Sequence, residues 1–223
     1  MLSERLSVCS ELVRGKNACD IGTDHGYLAA ELLLSGKCER VIASDINENP
    51  LKSARETLEK HGLSDKSALF ISDGVKDIDL EEVTDIIIAG MGGELIADII
   101  SQKDLSGINL VLQPMTKIPF LRRFLAENGF ETLIEKTAQE KDRIYVVINA
   151  KYSGVRREIS ELDSLVGKLS PKDEKSAKLL VRTADKLKRE ADALFASGNT
   201  GEAQKRSELS SKINAILQKE DDV

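Results

Sequence analysis

Ala18-Cys19-Asp20-Ile21-Gly22-Thr23-Asp24-His25-Gly26-Tyr27-Leu28 is the stretch that decides the fold. It reads as the end of a short buried strand, a tight glycine turn and the first turn of a helix. Glycine at 22 permits φ > 0 and lets a ligand come close to the backbone. Gly26 lets the opening of the next helix sit near the same ligand. A second strand ends at Val41-Ile42-Ala43-Ser44-Asp45, with Asp45 25 positions beyond Asp20. A carboxylate there is placed to accept from two vicinal hydroxyls, as a ribose diol presents them. A glycine turn after one strand and a carboxylate after the next make a nucleoside-binding crevice.

The three-glycine dinucleotide pattern does not stand here. That pattern brings a pyrophosphate onto a helix N-terminus, whereas this loop carries Asp20, Asp24 and His25. Carboxylates repel a pyrophosphate but suit an ammonium group or a sulfonium-bearing amino acid. S-adenosylmethionine (SAM) carries a ribose, an α-ammonium and a sulfonium, and fits this charge pattern better than a dinucleotide does. The plain alternatives are a glycine turn that binds nothing, and Asp20 and Asp45 acting as helix caps.

Composition bounds the class. The 223 residues suffice for one full domain and an appendage. Charged residues make up 31%, aromatics 4%, and tryptophan is absent, which fits a soluble α/β protein with a helical part. The opening Met1-Leu2-Ser3-Glu4-Arg5-Leu6 has no signal-peptide pattern. No apolar run approaches the roughly 18 residues of a membrane span. Cys9, Cys19 and Cys38 lack metal-ligand spacing and read as reduced, buried thiols of a cytoplasmic protein, with no metal.

The net charge of −6 hides a division: residues 1–150 hold 17 Lys+Arg against 25 Asp+Glu, a balance of −8, and residues 151–223 hold 15 against 13, a balance of +2. Basic side chains gather at Lys117, Arg122, Arg123, Lys151, Arg156 and Arg157 and again over 168–189. Such patches steer a polyanion whatever the total charge. For 168–189 the rival reading is a solvated, salt-laced helix face.

An amphipathic helix opens the chain on Leu2, Leu6, Cys9, Leu12 and Val13. Strands then fall at 17–21, 40–45, 68–71, 85–89, 109–112, 130–137 and 143–148. Helices fall between them at 26–36, Pro50 to Gly62, Gly93 to about Gln102, and 116–128. Alternation of this kind makes a mainly parallel, doubly wound sheet. The last two strands are joined by a turn too short for a crossover and pair antiparallel at one edge. The pattern resembles a class I, Rossmann-like methyltransferase sheet over residues 1–152. Residues 153–223 read as helical: 155–169, a helix opened by Ser170-Pro171, and a last helix after Asn199-Thr200-Gly201. Leu180, Ala184, Leu187, Ala191 and Leu194 form a short coiled-coil seam and predict an antiparallel hairpin, compatible with a monomer or a weak dimer.

The informative loops all follow strand C-termini, where open α/β sheets bind ligands. Asp20, Gly22, Asp24, His25 and Gly26 are expected to hold the amino-acid end of the donor. Asp45 and Ile46 are expected at the ribose and adenine, with Asp73 accepting from the exocyclic amine and Gly74 keeping that wall open. Gly90, Met91, Gly92 and Gly93 form a backbone-lined floor for the acceptor, and Gln113 and Pro114 the next wall. Asp24 and the 90–93 loop are the candidates for acceptor-side participants, with Gly90 and Gln113 also facing the donor.

Asp-Ile-Gly-x-Asp-His-x-Tyr-Leu (20–28), Gly-Met-Gly-Gly (90–93), Leu-Gln-Pro (112–114), Glu-x-x-x-Ile-Tyr (140–145) and the opening Leu-Ser-x-Arg-Leu (2–6) together resemble the bacterial tRNA (adenine-22-N1)-methyltransferase family, called TrmK-like. The resemblance covers the whole length, including the helical tail. It implies SAM-dependent methylation of N1 of an adenine in the D-loop region of tRNA. Met115 stands where this family usually has Asn after Leu-Gln-Pro, and Ser44-Asp45 where Gly-Glu is frequent. Adenine N1 has an in-plane lone pair, so alignment is most of the catalysis, which fits a loop without a nucleophile. The rivals are a small-molecule or protein acceptor, and a non-catalytic SAM-binding adaptor.

Overall fold

Ile86, Ile87 and Ile88 have no exposed surface, because the strand that carries them is covered on both faces. Seven strands form that sheet: β1 (Asn17–Ile21), β2 (Arg40–Asp45), β3 (Ser67–Ile71), β4 (Asp85–Gly92), β5 (Asn109–Thr116), β6 (Phe130–Glu140) and β7 (Arg143–Tyr152). Their order is β3-β2-β1-β4-β5-β7-β6. β1 to β5 run parallel, and β7 lies antiparallel between β5 and β6. The computed structural model describes residues 2–218, which form two compact units, one through Glu158 and one from Ile159.

In the first unit, α1 (Glu4–Leu12), α2 (Tyr27–Leu34), α3 (Glu48–Lys60), α4 (Gly93–Ile100) and α5 (Ile118–Glu127) flank the sheet. Val8, Cys9 and Leu12 of α1 join Leu28, Ala29, Leu32 and Leu33 of α2 and the strand residues Ala18, Val41 and Ile87 in one apolar cluster. Burial of this kind contributes about 25 cal/mol per Å² of apolar surface. It also fixes the ends of β1, β2 and β4 relative to α1. The parallel register sets Asp20 beside Ala43, Ile21 beside Ser44 and Asp45 beside Ile71. The seven-stranded, mainly parallel sheet and its antiparallel edge are as the sequence predicts.

β4 and β5 both outrun their predicted ends. β4 continues to Gly92 and β5 to Thr116, with register slips at Ala89/Met91 and Met91/Gly92. Glycines at 90, 92 and 93 had implied that the strand stops at Ala89. A bulge lets it continue instead.

The second unit contains α6 (Glu161–Val166), α7 (Glu174–Ala196) and α8 (Thr200–Gln218). The single helix expected over 155–169 is corrected to α6 alone. Arg157 donates its backbone N–H to Ala126 O at 3.0 Å, which holds that segment out of helical geometry. Ser160 and Asp163 then form a capping box that starts α6, and Gly167 at φ +62° ends it. Asp173, not Ser170, caps α7, its Oδ2 accepting from Ser176 N at 2.8 Å. Leu180, Ala184, Leu187 and Ala191 are buried and Leu194 half-buried along α7, facing Ala203, Leu209 and Ile213 of α8. The hairpin seam is as predicted. Among the described residues no helix is long and apolar enough to cross a membrane.

Candidate active site

A cavity of about 350 Å³ opens where β1, β2 and β4 end. Asp20, Gly22, Asp24, His25, Asp45, Gly90 and Met91 line it, together with Arg5 and Tyr27. A larger groove of about 570 Å³ lies at the opposite ends of β1 to β3 and contains none of the predicted site residues. The smaller cavity is where open α/β sheets place their ligands.

The turn after β1 is tightly specified. Gly22 (φ +74°) and Thr23 both donate backbone N–H groups to Ser44 O, at 2.8 and 3.0 Å, tying the turn to the end of β2. Asp20 is 4% exposed, and its Oδ2 accepts from Thr23 Oγ1 at 2.7 Å. Burial raises its carboxyl to about 6, against a smaller lowering by the Thr23 hydroxyl. Asp24 is in the left-handed region at φ +52°, an uncommon conformation for a side chain that is not glycine. Its exposed carboxylate lies 3.6 Å from His25 Nε2, and the His25 ring stacks on Tyr27 at 5.4 Å. Asp20 and Asp24 therefore differ: one is dry and hydrogen-bonded, the other wet.

Gly26 (φ +70°) does not reach the cavity. A Cβ there would sit 2.9 Å from Ala54 Cα, so this glycine lets α2 pack against α3.

Asp45 Oδ1 accepts from Asn47 N at 2.8 Å, which orients the carboxylate and leaves Oδ2 for a ligand. Ile46 and Ile71, adjacent at the ends of β2 and β3, are 61% and 60% exposed. Neither lines the cavity, so the structure does not bring the expected Ile46 wall into it. Asp73 and Gly74 lie outside the cavity. The Asp73 carboxylate is ion-paired with Lys76, and Gly74 packs on the Gln102 amide, which also accepts from Val75 N at 2.8 Å.

On the acceptor side only Gly90 and Met91 line the cavity. Gly93 lies under the end of β5, where a Cβ would meet Lys117 O at 2.7 Å, and Gly92 faces Thr116. Gln113 is fully buried with both ends of its amide engaged. Its Oε1 accepts from Arg5 Nη1 at 2.8 Å and Gly90 N at 3.0 Å, and its Nε2 donates to Pro114 O at 2.9 Å. Met115 is 39% exposed just beyond.

Arg5, Leu6, Thr23, Tyr27, Leu28 and Ala89 complete the lining and were not predicted as site residues. For Arg5 the available signal was the Leu-Ser-x-Arg-Leu opening, which marks the residue without giving its place. Arg122, counted above in a basic patch, is buried and forms a bidentate pair with Glu135 at 2.9 and 2.6 Å. It belongs to the fold and not to the surface. The three thiols are buried, and burial raises all of them, Cys9 to about 12 and Cys38 to about 11. They are inert as nucleophiles.

The cavity offers carboxylates for cations and for a diol, and glycine backbone where an acceptor would enter. The methyltransferase-domain family matches residues 2–148. The tRNA (adenine(22)-N(1))-methyltransferase of Bacillus subtilis is 36% identical over 154 residues, 67% of this chain and 65% of that protein. The chain thus spans just under two thirds of that relative's length in this alignment. The crystal structure of the B. subtilis m1A22 tRNA methyltransferase TrmK superposes with a TM-score of 0.83 at 29% identity, covering 96% of this chain and 98% of that one. M. capricolum TrmK in complex with S-adenosyl-homocysteine gives 0.82 at 25% identity, covering 97% and 99%.

Proposed function

Since the chain belongs to the methyltransferase-domain family, in its TrmK-like branch, we propose that it transfers the methyl group of SAM to N1 of adenine 22 in the D-loop region of tRNA. One observation carries this reading: the carboxylates of Asp20, Asp24 and Asp45 and the backbone of Gly90 and Met91 converge on a single cavity. The donor's chemistry fits those residues. Asp20 and Asp24 complement its ammonium and sulfonium, and the open Asp45 Oδ2 accepts from its ribose. Exposed Ile46, next to Asp45 in the chain but outside the cavity lining, is the apolar side chain assigned to its adenine in this reading. Asp73, ion-paired with Lys76, and Gly74, packed on Gln102, lie outside the cavity and take no part in this reading.

Bound SAM supplies an electrophilic methyl carbon. The protein supplies position. Gly90 and Met91 form a floor without a side-chain base, which suits an acceptor nitrogen whose lone pair needs no prior deprotonation. Holding donor and acceptor in line is worth about 7–11 kcal/mol in well-oriented reactions. Asp24, strained and exposed at the mouth, faces the incoming ring and stabilises the positive charge that methylation creates there.

In this reading residues 1–152 bind donor and target base, and residues 153–223 hold the tRNA through α7 and α8. The enzyme works in the cytoplasm, as a monomer or a weak dimer, without a metal. Labelled SAM incubated with an unmodified tRNA transcript carrying adenine at position 22, beside a matched transcript with guanine there, tests this. Label on the adenine transcript alone is expected. Label on neither, with SAM bound, would instead favour a small-molecule acceptor or an adaptor.

A further inference from the structure

We propose that Gln113 is a buried positioning residue that sets the acceptor loop through the Gly90 amide, and that Arg5 holds Gln113 in the one orientation that does so. The inference rests on the function proposed above and assigns to these two residues a task other than contact with donor or base.

The bulge makes the task necessary. Ala89 pairs with Gln113 and Met91 with Pro114, so Gly90 is the extra residue on β4. Its φ of +84° turns its N–H away from the ladder, and a bulged residue loses its strand partner. The N–H of Gly90 goes to the Gln113 side chain at 3.0 Å instead. A side-chain amide thus completes the sheet where the strand cannot.

An amide can flip, and a flipped Gln113 would set its NH₂ group against Gly90 N–H, donor against donor. Arg5 prevents this. Its Nη1 donates to the same Oε1 at 2.8 Å, so a flip would oppose two donors at once. Arg5 is itself fixed: its backbone N–H donates to Glu140 Oε1 at 3.2 Å, its Nε lies 3.8 Å from that oxygen, and its guanidinium sits 5.9 Å from the Tyr145 ring centroid. At the other end, Gln113 Nε2 is held by Pro114 O. Residues from α1, β5, β6 and β7 therefore agree on one amide orientation.

The effect reaches the donor side. Met91 follows Gly90, and its terminal methyl fills the space that a Cβ on Gly22 would take, 2.3 Å from that position. A shift of Gly90 moves Met91 against the turn after β1. Gln113, with no exposed surface, acts only through this chain.

The experiment compares Gln113→Leu, which keeps the bulk and loses the acceptor, with Gln113→Glu, which keeps an acceptor for both donors. Three quantities are read: hydrogen exchange of the Gly90 amide by NMR, the kcat against KM split on tRNA, and SAM affinity. Gln113→Leu is expected to speed Gly90 exchange about tenfold or more and to lower kcat about 100-fold, as a misplacement of about 1 Å does, with SAM affinity within threefold of wild type. Gln113→Glu is expected to keep Gly90 protected through the acceptor oxygen it retains, and to restore kcat only in part, because its second oxygen meets Pro114 O with no proton to donate. Arg5→Met, read by Gly90 exchange and kcat and not by SAM affinity because Arg5 itself lines the cavity, serves if Gln113→Leu does not fold.

Unchanged Gly90 exchange in these variants overturns the proposal. So does a drop in Tm with kcat per folded molecule intact, which would mean packing alone. A tenfold loss of SAM affinity with kcat preserved overturns it too and makes the pair donor ligands. Wild-type protein that methylates no tRNA would fail the proposed function, while Gly90 exchange would still decide the clamp.

Discussion

Asp20 and Asp45 line the same cavity and are held in different ways. Asp20 is dry, and its folded-state carboxyl sits near 6 against 3.8 in the unfolded chain. The folded protein therefore holds that proton more tightly. The ligand-free protein should lose stability as pH rises from about 4 to about 6, by on the order of 2–3 kcal/mol, and then level off. Asp20→Asn should flatten that part of the Tm-against-pH curve. Donor binding runs the other way, because an ammonium favours the ionised carboxylate. SAM affinity should therefore weaken below pH 6 in the wild type and less so in Asp20→Asn. Asp45 offers one uncommitted oxygen, since Asn47 N occupies the other. Asp45→Ala should weaken SAM binding by about 1–3 kcal/mol, measured by calorimetry; unchanged affinity would move the ribose elsewhere. Asp20, Gly22, Asp24, His25, Asp45, Gly90 and Met91 could be selected from the sequence because the chemistry and its carrier turn lie in short local runs. Arg5 could not be placed, because its partner Gln113 stands 108 positions away and no local period links them.

At the scale of elements, strand and helix positions followed from local pattern, and their ends did not. The Ile86–Ile88 run marks a buried strand in any context. Whether that strand stops at Ala89 or continues through a bulge depends on β5, which supplies Gln113 as a side-chain partner. Gly92 and Gly93 looked like cavity floor and serve instead as contact points between the start of α4 and the end of β5. Gly93→Ala brings a methyl group within 2.7 Å of Lys117 O, a backbone atom that cannot swing aside. It should cost about 1–3 kcal/mol in urea unfolding and impair methyl transfer through the displaced loop. Arg122 on α5 makes the same point about charge. In the sequence it belongs to a basic cluster, and in the structure it neutralises Glu135 of β6 in the core. Arg122→Ala leaves that carboxylate buried and unpaired, at about 3–5 kcal/mol. The variant should unfold early, while the tRNA affinity of the folded fraction stays as in wild type.

For the whole molecule the division of charge decides how a polyanion is met. The chain is acidic through residue 150 and mildly basic after it, so RNA affinity must come from local clusters. Burial of Arg122 and the Lys117–Glu94 and Lys151–Glu131 pairs weaken the cluster that the sequence places before residue 158. Along α7 the two readings of 168–189 both find support. Lys178 and Lys186 pair with Glu174 and Glu190, as a salt-laced face requires. Lys172, Lys188 and Arg189 are exposed and have no ion-pair partner among the described residues. Charges without partners are the ones that phosphates recruit, since no internal pair has to be broken first. Lys188 and Arg189 lie between the seam residues Leu187 and Ala191 but are exposed, so Lys188→Glu with Arg189→Glu should leave Tm and SAM affinity largely unchanged. It should raise KM for tRNA several-fold and reduce the slope of log affinity against log salt by about 1–2. If KM rises with the slope intact, the helical unit acts through shape and not through phosphate contacts. If neither moves, the salt-laced reading holds for all of α7, and the tRNA contacts must lie on other surfaces.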